Sequence, residues 1–308
     1  MRIAVTGRNG QVASSLIERG GIAGHEIIPL ARPDMDLANA DSVARALDAA
    51  APDVVVSAAA YTAVDKAESE PELATAVNVL GAHAVAAGAA RLGVPIIHLS
   101  TDYVFDGRGA RPYVEGDMTE PTGVYGMSKL LGERAVFAAH PGRAVVLRVA
   151  WVYSPFGTNF LKTMLRLAAT RDEISVVDDQ VGNPTSALDI ADGILAVAAN
   201  LLTSNDPALL GVFHMTAGGH ASWADFASRI FAEAAARGWP TARVRPIPSV
   251  EYPTPAARPA NSRLDSGRIA SVHGVTLPDW RNSLETVMNR LPPNGAGAAL
   301  PRAEEGLR

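Results

Sequence analysis

The stretch "RIAVTGRNGQVASSLIERG", Arg2 to Gly20, decides how the chain folds. Its apolar start, 2–6, reads as a buried strand, and 10–19 reads as a helix. Between them Gly7, Gly10 and Ala13 stand in G-x-x-G-x-x-A spacing. A glycine turn joining a first strand to a helix is the setting a dinucleotide phosphate requires. Gly7 permits the tight turn, and Gly10 lets the backbone approach a pyrophosphate at the positive end of the helix. Ala13 still allows close helix–sheet packing, and Asn9, Gln11 and Val12 belong to the same expected cofactor contact. A purely structural strand–helix turn would carry the same glycines, so the neighbouring segments must arbitrate.

They repeat the rhythm. Apolar runs at 25–30, 53–60, 94–100 and 143–153 alternate with helical segments at 41–50, where Asp41 and Ser42 are cap candidates, at 68–91, and around Tyr125. Runs apolar on both faces and separated by helices indicate a parallel sheet with right-handed crossovers. The expected fold is α/β: a Rossmann-type doubly wound parallel sheet with a smaller α/β C-terminal substrate-binding region. Residues 1–150 would form the dinucleotide-binding domain, with 186–215 returning to it. Residues 151–185 and 216–290 would form the substrate-binding region. Beyond Trp151 helices are expected at 159–170, 186–202 and 222–236, and strands at 173–180 and 211–217. The five prolines of 246–263 suggest an ordered loop, and 291–308 a disordered tail.

Composition narrows the function. The 308 residues carry a net charge of -5 with both signs scattered, so no basic stripe suggests nucleic acid. With no cysteine, disulfides, thiolate metal sites and cysteine nucleophiles are excluded. No apolar run in the sequence reaches the roughly 20 residues that span a bilayer, and no signal peptide is visible, so a cytoplasmic protein without a membrane partner is expected. The seven histidines show no ligand spacing, and His98 reads as a satisfied core residue.

Four further stretches carry chemistry. In "PLARPDMDL", Arg32 could pair with a 2′-phosphate or stay solvated, while Asp36 and Leu37 suit the adenine edge. In "SAAAYTAVD", Ala58, Ala59 and Ala60 let a ligand lie against the backbone; plain packing explains the alanines equally well, but Tyr61 less so. In "LSTDYVFDG", Ser100 and Thr101 put hydroxyls at the lip of the fourth strand, either to donate to a carbonyl oxygen or to cap a turn. In "VYGMSKLLGE", Tyr125 and Lys129 share one helix face, where the cation could turn a phenol into a usable acid.

In order and spacing these pieces resemble the extended short-chain dehydrogenase/reductase family. The resemblance implies that Tyr125 is the general acid, that Lys129 holds the nicotinamide ribose and lowers the phenol's pKa, and that Thr101 orients the substrate oxygen. "STDYVFDG", "NFLKTMLRLA", "DDQVGNPT" and "YPTPAARPANSRL" are similar to the dTDP-4-dehydrorhamnose reductase branch, and the likeness runs from Met1 to about Arg290. It implies NADPH or NADH as cofactor and a nucleotide-sugar substrate whose 4-keto group is reduced. Thr101, Asp102, Tyr103, Trp151, Asn159, Phe160 and Arg258 would face that substrate, with Arg258 on its diphosphate. Asp102 and Tyr103 stand where related dehydratases carry Asp-Glu, which argues against dehydration. Some relatives are magnesium-dependent through acidic residues; serines stand near the helix start here, and no metal is assigned. A homodimer is compatible with the resemblance. Alternatives are a reductase of another nucleotide-linked 4-keto-6-deoxy sugar, or a non-catalytic subunit resembling the methionine adenosyltransferase beta subunit.

Overall fold

The computed structural model describes residues 1–292; the expected tail therefore lies almost entirely outside the described residues. Six parallel strands form the central sheet: β1 (Arg2–Thr6), β2 (Glu26–Leu30), β3 (Val54–Ser57), β4 (Ile96–Thr101), β5 (Ala144–Val149) and β6 (Gly211–His214). Their spatial order is β2-β1-β3-β4-β5-β6. The order reverses at β1, so the carboxyl ends of β1 and β3 flank the point where ligands of such sheets bind. Thr6 ties these ends together, its hydroxyl accepting from the amides of Ala58 and Ala59 at 3.0 and 2.9 Å. Strands β3, β4 and β5 are buried along their whole length, hence their mainly apolar runs, in which His98, Ser100 and Arg148 stand out as buried polar residues. Pro29 sits in β2, an edge strand whose missing N–H costs no ladder bond to a further strand.

Helices cover both faces. On one, α1 (Gln11–Ile22) and α5 (Ala187–Thr203) pack Leu16, Ile190 and Ile194 against Ile3, Val5 and Val145. On the other, α2 (Ala40–Ala50) and α3 (Ala82–Leu92) pack Val43, Leu47, Val85 and Ala89 against Ala4 and Val55. α4 (Val124–Ala139) follows β4 and lies beside α3. A second apolar cluster joins the helices Phe160–Ala168, Trp223–Ala236 and Trp280–Met288 through Leu161, Phe226, Ile230 and Leu284. It also takes in the parallel pair Glu173–Val177 with Arg243–Ile247.

Several expected boundaries shift for identifiable reasons. α2 is capped by Asn39, whose Oδ1 accepts from the Ser42 amide, rather than by Asp41 or Ser42. The apolar run 53–60 is a strand only over Val54–Ser57, because Ala58 and Ala59 turn their amides to Thr6. The helix expected over 68–91 is one helix, Pro71–Leu92, started by Pro71 and preceded by a separate short helix, Val64–Ala67. That helix, Pro71–Leu92, contains a π-helical stretch, Ala76–Gly81, which turns the buried Asn78 toward Tyr61 and Ser128. Pro71–Leu92 is long and apolar enough to cross a membrane, contrary to the sequence reading, but its Val85, Ala86 and Ala89 are packed under the sheet. The strand expected over 143–153 breaks at Trp151, which has φ of 46°. The strand expected over 211–217 ends at His214, and within the prolines of 246–263 a strand finishes at Ile247 before a short turn of 3-10 helix.

Candidate functional site

The start of α1 is built for an anion. Gly10 is its N-cap, no side chain caps it, and its first turn holds no acidic residue. By contrast, α2 and α5 are capped by Asn39 and Ser186. The free amides of α1 and its dipole therefore remain for a ligand. Gly7 has φ of +93°, a left-handed conformation, and a Cβ there would stand 3.4 Å from that of Ala59. A Cβ at Gly10 would meet nothing within 4 Å, so protein packing does not demand glycine there and a close-lying ligand would. These residues fit a dinucleotide. Beside the turn lies a cavity of about 170 Å³ lined by Gly7, Arg32, Asp36, Leu37, Ala59 and Ala60, and also by Met35 and Val77, which the sequence did not single out.

Arg32 is 70% exposed and pairs with Asp36 at 3.0 Å. The Ala38 amide, followed by Arg32, holds the Asp36 carboxyl below the usual range. Asn9 is exposed on the turn, whereas Val12 is buried under the sheet. Gln11 turns away from the expected contact: its amide donates to the Val152 carbonyl and its Oε1 accepts from Ser154 and Asn159. Tyr61 donates to Glu70 at 2.6 Å, and this bond pushes its phenol up to about 12. Ser100 is also turned inward, donating to Glu133 at 2.5 Å, so its hydroxyl does not face the crevice.

Tyr125 and Lys129 converge on the carboxyl end of β4. The Lys129 ammonium is buried, donates to the Leu99 carbonyl at 2.7 Å and lies 3.4 Å from His98 Nε2. Burial brings it down to about 8, against the opposing pull of Glu133. His98, only 1% exposed, is held far below its normal pKa by burial and then by Lys129; its Nδ1 pairs with Ser57. The Tyr125 ring packs edge-on to Tyr103 at 5.6 Å. The expected lowering of its pKa is not found: burial pushes the phenol up to about 12, Thr101 opposes the rise and Asp102 adds to it. Lys129, one helical turn along, directs its ammonium to the Leu99 carbonyl on β4 rather than to the phenol. Gly126 admits the close approach of α4 to the turn after β4, since a Cβ there would lie 2.2 Å from the Tyr103 carbonyl oxygen.

Thr101 donates to Asp102 Oδ1 at 2.9 Å and accepts from the Tyr103 amide at 3.2 Å, the capped turn that its sequence also allowed. Asp102 is 3% exposed, its Oδ2 has no partner, and burial raises the carboxyl to about 7. Burial likewise raises the Tyr103 phenol. Trp151 stacks on Trp223, ring centroids 3.5 Å apart, and its Nε1 donates to Ser262 at 3.0 Å. These contacts hold a left-handed backbone that costs a bulky residue about 1–3 kcal/mol. Asn159 caps the helix Phe160–Ala168, accepting from the Lys162 amide, and Phe160 packs on Trp223 and Phe226. Both therefore have internal duties. Arg258 reaches across to Asp65 in the segment after β3, at 2.7 Å. Ser262, Trp223 and Thr6 escaped the sequence reading because their roles depend on distant partners. Among the described residues no cluster of three or more His, Cys, Asp or Glu side chains could hold a metal.

A doubly wound parallel sheet, an uncapped glycine turn and a Tyr-x-x-x-Lys pair at its carboxyl edge define the extended short-chain dehydrogenase/reductase class. More narrowly, the family model described as RmlD substrate binding domain matches residues 1–292, and the chain belongs to that family. It is 52% identical over 283 residues to a dTDP-4-dehydrorhamnose reductase of Sinorhizobium fredii, covering 92% of this chain and 95% of that protein. A crystal structure of a dTDP-4-dehydrorhamnose reductase from Clostridium acetobutylicum superposes with a TM-score of 0.87 at 37% identity, covering 94% of this chain and 99% of that one. The Bacillus anthracis dTDP-4-dehydrorhamnose reductase, solved in complex with NADP, gives 0.86 at 34% identity over the same shares.

Proposed function

We propose that this protein reduces the 4-keto group of dTDP-4-dehydro-6-deoxy-L-mannose (dTDP-4-dehydrorhamnose) to dTDP-L-rhamnose with NADPH or NADH. The observation that carries the reading is the Tyr125 phenol, half-buried beside Thr101 at the sheet's carboxyl edge in a chain so similar to reductases of that name. The free amides of α1, Gly7, Ala59 and Ala60 would hold the dinucleotide, with Arg32, Asp36 and Leu37 at its adenosine end. When bound, the reduced nicotinamide supplies a hydride for C4. A phenol raised to about 12 is fully protonated at neutral pH, the form an acid needs. An alkoxide is more basic than a phenolate, so Tyr125 still delivers its proton downhill to O4. Lys129 has two of its three donors directed to Leu99 and His98, which leaves one for ribose hydroxyls.

On the substrate side, Thr101, Asp102 and Tyr103 would meet the sugar, Trp151 would wall it, and Arg258 would exchange Asp65 for the diphosphate. Asn159 and Phe160 would shape that side through packing rather than contact. The six-stranded sheet with α5 would serve as the cofactor portion, and the second apolar cluster as the sugar-nucleotide portion. The same proposal puts the enzyme in the cytoplasm, where nucleotide sugars and reduced pyridine nucleotides occur, as a homodimer that light scattering would test. The deciding experiment supplies dTDP-glucose with an upstream dehydratase and epimerase, adds NADPH or NADH, and follows cofactor oxidation and dTDP-rhamnose. Absence of both ends the reading.

A further inference from the structure

One buried ionic group has no part in the mechanism above. Glu133 follows Lys129 by one helical turn on α4 and is 3% exposed. Its carboxylate receives three hydrogen bonds: from Arg148 Nε and Nη2 on β5 at 2.9 and 2.7 Å, and from Ser100 on β4 at 2.5 Å. Arg148 is 4% exposed, stands opposite Ser100 in the strand register, and lies 5.1 Å from the centre of the Phe105 ring. Removing an ion pair of this kind to favour apolar packing is often neutral for stability, so stability alone gives little reason for it. Its position does: Glu133 shares a helix face with Lys129, and the two are anchored on neighbouring residues of β4, Ser100 and Leu99.

We propose that Glu133 is a positioning residue for the reaction pair, fastened by Arg148 and Ser100 so that its carboxylate keeps the Lys129 ammonium charged at the end of β4. The inference deepens the proposed reduction and rests on that reading of Tyr125 and Lys129. Without a counter-charge, a buried ammonium tends to lose its proton. Burial does lower Lys129, and Glu133 is the group that opposes it. The other groups around Lys129 cannot substitute. From β4 it meets neutral His98 and the Leu99 carbonyl. From α4 it meets the neutral phenol of Tyr125, and the turn after β4 holds Asp102, whose carboxyl is bonded to the Thr101 hydroxyl rather than to Lys129. The segment Ala76–Gly81 offers uncharged Asn78, His83 and Arg91 of α3 are exposed, and Glu68 is occupied with the Val124 amide.

The test is the pH dependence of two quantities, kcat/KM for the keto-sugar and the Kd of NADPH read by fluorescence. Glu133→Gln keeps the shape and an acceptor for Ser100 but removes the charge. The alkaline limb of both profiles should move down by about one pH unit, and Glu133→Asp should restore most of it. Should the single variant fail to fold around an orphaned guanidinium, Glu133→Gln combined with Arg148→Met removes both charges and should show a smaller downward movement, since the lost cation also repelled Lys129. An alkaline limb unchanged in either charge-deleted protein, whatever its melting temperature, overturns the proposal. The NADPH profile needs no sugar turnover, so a parent protein inactive on the keto-sugar would refute the reductase reading while still testing Glu133.

Discussion

Replacing Asp102 by asparagine should stabilise the protein, and by an amount that depends on pH. The carboxyl is 3% exposed, with one oxygen bonded to Thr101 and the other without a partner. Burial raises it from an ordinary 3.8 to about 7. Below the lower value both folded and unfolded chains hold the proton, and the carboxyl costs nothing. Between the two values the unfolded chain ionises while the folded one stays protonated, so stability declines as pH rises and levels off above the folded value. At about 1.4 kcal/mol per pH unit, easing off as the folded carboxyl itself begins to ionise, the decline between pH 5 and pH 7 is roughly 2.3 kcal/mol. A carboxamide has no proton to lose, so Asp102→Asn should escape it. Urea midpoints at pH 5 and pH 8, compared for parent and variant, would show the variant's advantage growing by about 2–3 kcal/mol. Comparing the two pH values cancels any fixed change in the bond to Thr101. An advantage that is constant with pH, or a variant that loses ground as pH rises, would refute the argument.

Tyr125→Phe removes the proton donor but little packing, so turnover should fall about 100- to 10,000-fold while NADPH fluorescence titrations keep their parental Kd. Arg258→Ala should raise the substrate KM by roughly 10- to 100-fold, the equivalent of about 1.5–3 kcal/mol for a charge-assisted bond, with kcat changed far less in steady-state kinetics. Arg32→Ala should weaken NADPH binding and leave NADH binding nearly intact, because the exposed guanidinium can meet a 2′-phosphate only when one is present; parallel titrations with the two cofactors measure this.

What the chain discloses by itself is local. The order of strands and helices, the glycine turn and the pairing of Tyr125 with Lys129 all follow from periodicity and spacing within a few residues, and each recurs in the structure. The sequence reading passed over Glu133 and Arg148, a lone arginine in the apolar run "AVVLRVA"; a charge inside a buried strand requires a partner, and only the fold identified it as Glu133. Tertiary structure alone decided the partners. It engaged Gln11 with Asn159, 148 positions away, and Arg258 with Asp65, 193 away. It turned Ser100 inward to Glu133 and stacked Trp151 on Trp223. It also set the phenol's acidity, since burial depends on every element packed around Tyr125 whereas the i,i+4 lysine is only one neighbour. Short-range periodicity reports which way a side chain can face; what it meets there is a property of the whole fold.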